Sequence, residues 1–313
     1  MTTRLAVVCL ALAGLAFGGE ATFPLISEDR IPIEEIQVSE TAYAAVRKPP
    51  GEGPFPAILF LHGGLGQSPM KGLRKNSISM PTQGRFLAWG YVAVTATRRD
   101  IRHDPQDRGV VTDTLELVRA VKRLPYVDSG SVALYGGSGG GTLSLEVASV
   151  SDELAAIVAG EPAAIIYMGM FNKEHVVLGE QGRPTGDRRQ EVMSADPKTL
   201  YTDKIRARTR SKLAGLATPT LILHSDQSAL KHTNFGVLFP EMEAMGLPVT
   251  VSKYQGEPHG FYWGRGRDTA VALRANRDAD DFLRKHVRVQ PQPVDESWAK
   301  PTVVEPMNRP NPN

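Results

Sequence analysis

Ser131-Val-Ala-Leu-Tyr135-Gly-Gly-Ser138-Gly-Gly140-Gly-Thr-Leu-Ser-Leu-Glu-Val-Ala-Ser-Val150 decides how the rest of the chain is read. Its first five residues are a short apolar run of strand character, while Leu143, Val147 and Val150 recur at helical spacing, so the glycines fall on a strand-to-helix turn. A serine at such a turn sits in a strained backbone with its hydroxyl pushed out of the fold. That is sterically possible only when the residues two before and two after it are very small, and Gly136 and Gly140 meet the demand. The following helix aims its free N–H groups at the serine, where an oxyanion would form in acyl transfer. A glycine-rich helix start with an incidental serine would not need the strand before it, so the stretch reads as a nucleophile elbow.

Working outward, the chain alternates short buried strands with helical segments. Residues 31–46 suggest antiparallel edge strands, and 57–61, 91–97, 155–159, 219–223 and 249–254 suggest further strands. Asp113 and Glu116 are placed to cap a helix ending near Leu124, and residues 269–287 put Val271, Ala275, Ala279, Phe282 and Leu283 on one helical face. The expected fold class is α/β: a mostly parallel central sheet with right-handed crossovers, covered by helices on both faces. Ligands of such sheets bind at the carboxyl ends of the strands. His62, Ser138, Asp226 and His259 all follow predicted strands, so the topology would gather them on one rim. Residues 165–212 interrupt the alternation with a polar, charged segment, placed where a lid would be inserted.

Composition narrows the partners. The 313 residues are 41% apolar and 22% charged, and 36 Lys+Arg against 34 Asp+Glu give a formal net charge of +2. So small an imbalance gives no reason to expect nucleic acid or a charged membrane surface. Arg4 followed by an apolar run over 5–17 and small residues reads as a signal peptide over 1–18, too short to span a bilayer, which implies a secreted or periplasmic protein. The single cysteine, Cys9, lies inside that segment, so the expected mature chain has no disulfide, thiolate metal site or thiol nucleophile. The catalytic domain is expected over 24–288, and residues 289–313, with six prolines, read as an extended tail in which Trp298 could pin the chain to the surface. Oligomeric state leaves no sequence signal.

With these residues in view, the sequence resembles the α/β-hydrolase family, specifically its dienelactone hydrolase and prolyl oligopeptidase-like branch, over about residues 33–287. The resemblance rests on Pro56-Ala-Ile-Leu-Phe-Leu-His62-Gly-Gly64, on Val127-Asp128 leading to Gly-Gly-Ser138-Gly-Gly, on Leu221-Ile-Leu-His-Ser-Asp226 and on Glu257-Pro-His259-Gly-Phe261. It implies Ser138 as nucleophile, His259 as base, and an oxyanion hole from the backbone N–H of Gly139 with that of Gly64 or Leu65. It gives His62 a structural part, shaping the oxyanion loop. The chemistry agrees, because a serine hydroxyl needs a base near neutrality and histidine alone titrates there unperturbed. His259, after the last predicted strand between Pro258 and Gly260, is the best candidate for that base, whereas His103 and His175 sit in charged, surface-like stretches and His286 closes a helix.

The acid departs from the pattern. The family usually carries its carboxylate four residues after the histidine of His-Gly-x-x-Asp, and that position here is Ser228. Asp226, in the same loop, is the preferred acid, and Glu161, directly after the preceding strand, is the alternative. His224, Asp226 and His232 lack a convincing ligand spacing, so no metal and no organic cofactor is expected. The reading is an exported serine hydrolase for small carboxylic esters. The alternatives are a serine peptidase of the prolyl oligopeptidase-like type or a non-catalytic binding relative. Arg98, Arg99, Arg102, Arg183, Arg188, Arg189, Arg206, Arg208 and Arg210 read as a solvated face, unless two or three converge on the rim to hold a substrate carboxylate.

Overall fold

A computed structural model describes residues 26, 28–264 and 270–294, so the expected signal peptide and most of the tail, with Trp298, lie outside the described residues. The strands are β1 (Glu34–Gln37), β2 (Tyr43–Arg47), β3 (Phe55–Leu61), β4 (Val92–Ala96), β5 (Val127–Gly137), β6 (Ala156–Gly160), β7 (Val176–Leu178), β8 (Pro184–Asp187), β9 (Thr220–Ser225) and β10 (Val249–Tyr254). Eight of them form one sheet in the order β1-β2-β4-β3-β5-β6-β9-β10, and β7 and β8 pair separately. The antiparallel pairs are β1 with β2 and β2 with β4, while β4, β3, β5, β6, β9 and β10 run parallel.

The continuous apolar runs make sense as strands covered on both faces. In β3, Ala57, Leu59 and Leu61 enter one core cluster and Ile58 and Phe60 the other, and β5 divides Val132 and Leu134 from Ala133 and Tyr135 in the same way. Helices 109–122 and 139–148 cover the first face with Val110, Leu117, Val118, Val121, Leu143 and Val147. Helices 81–88 and 270–284 cover the second with Phe86, Leu87, Ala275, Ala279 and Leu283. The valine, leucine and phenylalanine side chains among these gain roughly 1.5–3 kcal/mol each from full burial, so the two faces together hold the sheet beneath its carboxyl edge.

One local expectation fails. Asp113 does not cap a helix: the helix begins at Gly109, and Asp113 lies within it, buried and paired with Arg99 at 2.8 Å. A charge partner on the loop after β4 therefore places Asp113, which sequence spacing alone could not reveal. Residues 165–212 lie between β6 and β9, where the β7–β8 hairpin and helices at 189–194, 197–200 and 203–213 are found. The insertion leans on helix 139–148, where Lys212 joins Glu146, and on the loop after β4, where Gln106 Nε2 donates to the carbonyls of Ile166 and Phe171.

Candidate active site

Ser138 ends β5 with φ 55° and ψ −118°. The left-handed backbone costs roughly 1–3 kcal/mol in a non-glycine residue and persists only where the surroundings impose it. Here Ser138 N–H donates to the carbonyl of Gly160 at 2.7 Å and Thr142 N–H to that of Ser138 at 3.0 Å. The glycines are required by contact: a Cβ on Gly136 would lie 2.1 Å from the carbonyl oxygen of Gly140, and one on Gly140 would lie 2.1 Å from that of Leu61. Serine is a favoured helix N-cap, yet the Ser138 side chain makes no cap hydrogen bond, so its hydroxyl remains available.

Glu161 is the other non-glycine residue with positive φ among the described residues, at 43°. It follows β6 directly, its N–H donates to Leu223 at 2.8 Å, and its side chain is fully buried. Its carboxylate accepts from Gly260 N–H at 2.6 Å and Ser225 N–H at 3.4 Å, and lies 2.9 Å from His259 Nδ1. His259 stands in the loop after β10, its side chain 40% exposed. With Nδ1–H donated to a carboxylate, Nε2 is the nitrogen left to accept a proton. Ser228 Oγ, at the position where the family usually carries its acid, is 3.1 Å from the same Nδ1.

Asp226, preferred on sequence, is not brought to His259. It is exposed, and its carboxylate accepts from Gly256 N–H at 2.8 Å and from Gln227 Nε2 at 3.2 Å. The physical reason is direction: Asp226 already lies beyond the strand end, in a turn, and closes the loop after β10 onto the loop after β9. Glu161 points under the same loop from the neighbouring strand. His224 is fully buried, its Nδ1 on the Ser225 carbonyl at 2.8 Å and its Nε2 on Asn234 at 2.6 Å, whereas His232 is exposed.

Gly64, at φ 78°, and Leu65 form the loop after β3, and a Cβ on Gly139 would lie 2.2 Å from the Gly64 carbonyl oxygen, so this loop and the elbow pack backbone to backbone. The N–H groups of Gly64, Leu65 and Gly139 have no acceptor among the described residues. Arg98 secures the loop from beneath, donating to the carbonyls of Gly63, at 3.1 Å, and Gly64. Its guanidinium is buried, and desolvation, partly offset by Asp100, pushes it down to about 10. His62 supports the same loop through the Gly63 carbonyl at 2.8 Å and Ser68 at 3.2 Å.

Ser138, His259 and Gly64 line one cavity of about 710 Å³, together with Phe60, Gln83, Thr95 and Trp263. No residue of the 165–212 insertion lines it, and neither does any arginine. The basic residues expected to face solvent are spent locally: Arg99 on Asp113, Arg102 on Asp100, Arg189 on Asp187, Arg206 and Arg210 on Glu241. Sequence reasoning passed over Gln83, Thr95 and Trp263. For Trp263 a signal existed in its place four residues after His259; for the other two there was none.

With this geometry in hand, comparison with known proteins is informative. The acetyl xylan esterase (AXE1) family matches residues 99–174. A thermophilic esterase of the planctomycete Thermogutta terrifontis, in its propionate-bound structure, shares 20% identity at a TM-score of 0.56, over 83% of this chain and 96% of that one. The same esterase phosphonylated by sarin aligns at 21% identity and a TM-score of 0.56, covering 82% and 97%. Est1E from Butyrivibrio proteoclasticus aligns at 18% identity and a TM-score of 0.53, covering 81% and 98%. The chain has the α/β-hydrolase fold. What it resembles, in sequence over 99–174 and in fold over most of its length, are esterases.

Proposed function

We propose that the protein is an exported serine carboxylesterase working through an acyl-enzyme, with Ser138 as nucleophile, His259 as base and Glu161 as the acid. The observation that carries the reading is the pairing of His259 Nδ1 with the buried Glu161 at 2.9 Å beside a strained serine in one cavity. Ser138 Oγ attacks the ester carbonyl carbon while His259 Nε2 takes the hydroxyl proton, and the N–H groups of Gly139 with Gly64 or Leu65 receive the oxyanion. The imidazolium then protonates the departing alkoxide, leaving the acyl group on Ser138. Water, losing a proton to His259, attacks that acyl carbon; collapse releases the carboxylic acid and returns the proton to Ser138. Each backbone donor lost from such a hole costs about 3 kcal/mol of transition-state stabilisation.

Hydrolysis of 4-nitrophenyl acetate and butyrate, run beside aminoacyl and prolyl nitroanilides, tests the reaction class. Turnover of the esters at rates far above the anilides is expected. Equal anilide cleavage would make the protein a peptidase, and a folded protein that turns over no ester would make it a binding relative. Export is tested separately: expressed from its full sequence in a bacterial host, the protein should be recovered outside the cytoplasm lacking residues 1–18.

A further inference from the structure

We propose that the cavity beside Ser138 contains a hydrogen-bonding subsite, formed by the Gln83 amide and the Trp263 indole, for a neutral oxygen acceptor on the substrate's acyl or alcohol group. This rests on the esterase reading and adds the kind of substrate to it. Gln83 and Thr95 are each only 4% exposed, and both line the cavity. Thr95 donates its hydroxyl to Gln83 Oε1 at 2.5 Å, which fixes the amide with its Nε2 donors turned away from Thr95. Nε2 has no acceptor among the described residues.

Trp263 lines the same cavity and is 8% exposed. Its Nε1 lies where a Cβ on Gly137 would approach to 2.5 Å, next to the nucleophile in sequence, and this indole N–H likewise has no acceptor among the described residues. Neither nitrogen is sealed off from the cavity, so a ligand that fills it must supply an acceptor or strand each donor at a cost of roughly 1–3 kcal/mol. Around them Phe60, Leu73 and Met80 provide apolar and aromatic walls. No lysine or arginine lines the cavity and Glu257 does, which favours a neutral ether, hydroxyl or carbonyl oxygen over a carboxylate.

Sites built to bond an oxygen reject an otherwise similar substrate that lacks it, because their own donors are then stranded. Two matched pairs probe this: 4-nitrophenyl cyclohexanecarboxylate against the tetrahydropyran-4-carboxylate, and cyclohexyl acetate against tetrahydropyran-4-yl acetate. Each pair exchanges one ring methylene for oxygen, on the acyl or the alcohol side. The preference for the oxygen ester, as a ratio of kcat/KM, is expected to fall about tenfold in Gln83→Met in at least one pair, equivalent to about 1.4 kcal/mol. Comparing variant with parent cancels the intrinsic reactivity of the esters. Should Gln83→Met fail to fold, Gln83→Glu keeps the Thr95 contact, exchanges donors for a carboxylate and is expected to lose the same preference. Ratios unchanged within twofold in both pairs, with ester turnover intact, would overturn the subsite and leave the esterase reading standing. A folded parent protein inactive on every ester overturns that reading, and the subsite with it.

Discussion

The loops after β6 and β9 each carry a carboxylate that sequence position offers to the same histidine, and they use it in opposite ways. Glu161 is fully buried, held at φ 43°, and spends its oxygens on His259, Gly260 and Ser225. Asp226 is exposed and ties the backbone N–H of Gly256. A carboxylate withdrawn from water and surrounded by donors can hold an imidazole in one tautomer, while one in solvent is screened and free to act as a turn residue. The difference teaches that, because parallel strand ends stand side by side, the carboxylate that meets His259 Nδ1 can come from the neighbouring strand. Ser228 marks the position left behind, still 3.1 Å from His259 Nδ1.

Predictions can break this contrast. The largest effect belongs to the group both loops were competing for: His259→Ala should lower ester turnover about a million-fold with the fold retained, as loss of a triad base does in well-studied enzymes. Next, Glu161→Gln preserves size but breaks the tautomer control, and kcat is expected to fall about ten-thousand-fold. Asp226→Asn should change kcat by less than about tenfold, or 1.4 kcal/mol, and steady-state kinetics on 4-nitrophenyl butyrate reads both. Ser228→Ala removes only a shared, neutral hydrogen bond and should cost about two- to tenfold. A reversed order between Glu161→Gln and Asp226→Asn would return the acid to the loop after β9.

The smallest effect concerns stability. His224, at the end of β9, has its imidazole pushed below the ordinary 6.5, chiefly by burial. The unfolded chain therefore takes up the proton first as pH falls, so this contribution is present above pH 6.5 and is lost as pH drops through the lower folded value. Urea unfolding at pH 7.5 and 5.5 should show a smaller loss of stability in His224→Gln than in the parent protein. An identical pH response would remove His224 from the account.

Much of the fold was legible because parallel strands buried on both faces leave continuous apolar runs, as at 57–61 and 249–254, and because the elbow demands its glycines. That Ser138 and His259 would stand on one rim was legible for the same reason, each being tied to a strand end and a short motif. The carboxylate that meets His259 was not. Asp226 and Glu161 both follow strands in sequence, and only backbone direction separates them: Glu161 is turned under the loop after β10, whereas Asp226 is turned out. The insertion at 165–212 was visible as a break in alternation, but which surface it leans on depends on Lys212 reaching Glu146 across 66 residues. Gln83, on helix 81–88, and Thr95, on β4, meet across 12 residues, and no local pattern announces such a contact.

The most direct test is the rate at which a fluorophosphonate becomes attached to the protein, followed by intact mass and by peptide mapping to Ser138. The Thermogutta terrifontis esterase of similar fold is phosphonylated by sarin. Here the parent protein and Asp226→Asn should label at similar rates, Glu161→Gln should label far more slowly, and Ser138→Ala not at all. Labelling of Ser138→Ala equal to the parent would contradict the nucleophile, and fast labelling of Glu161→Gln beside slow labelling of Asp226→Asn would contradict the relocated acid.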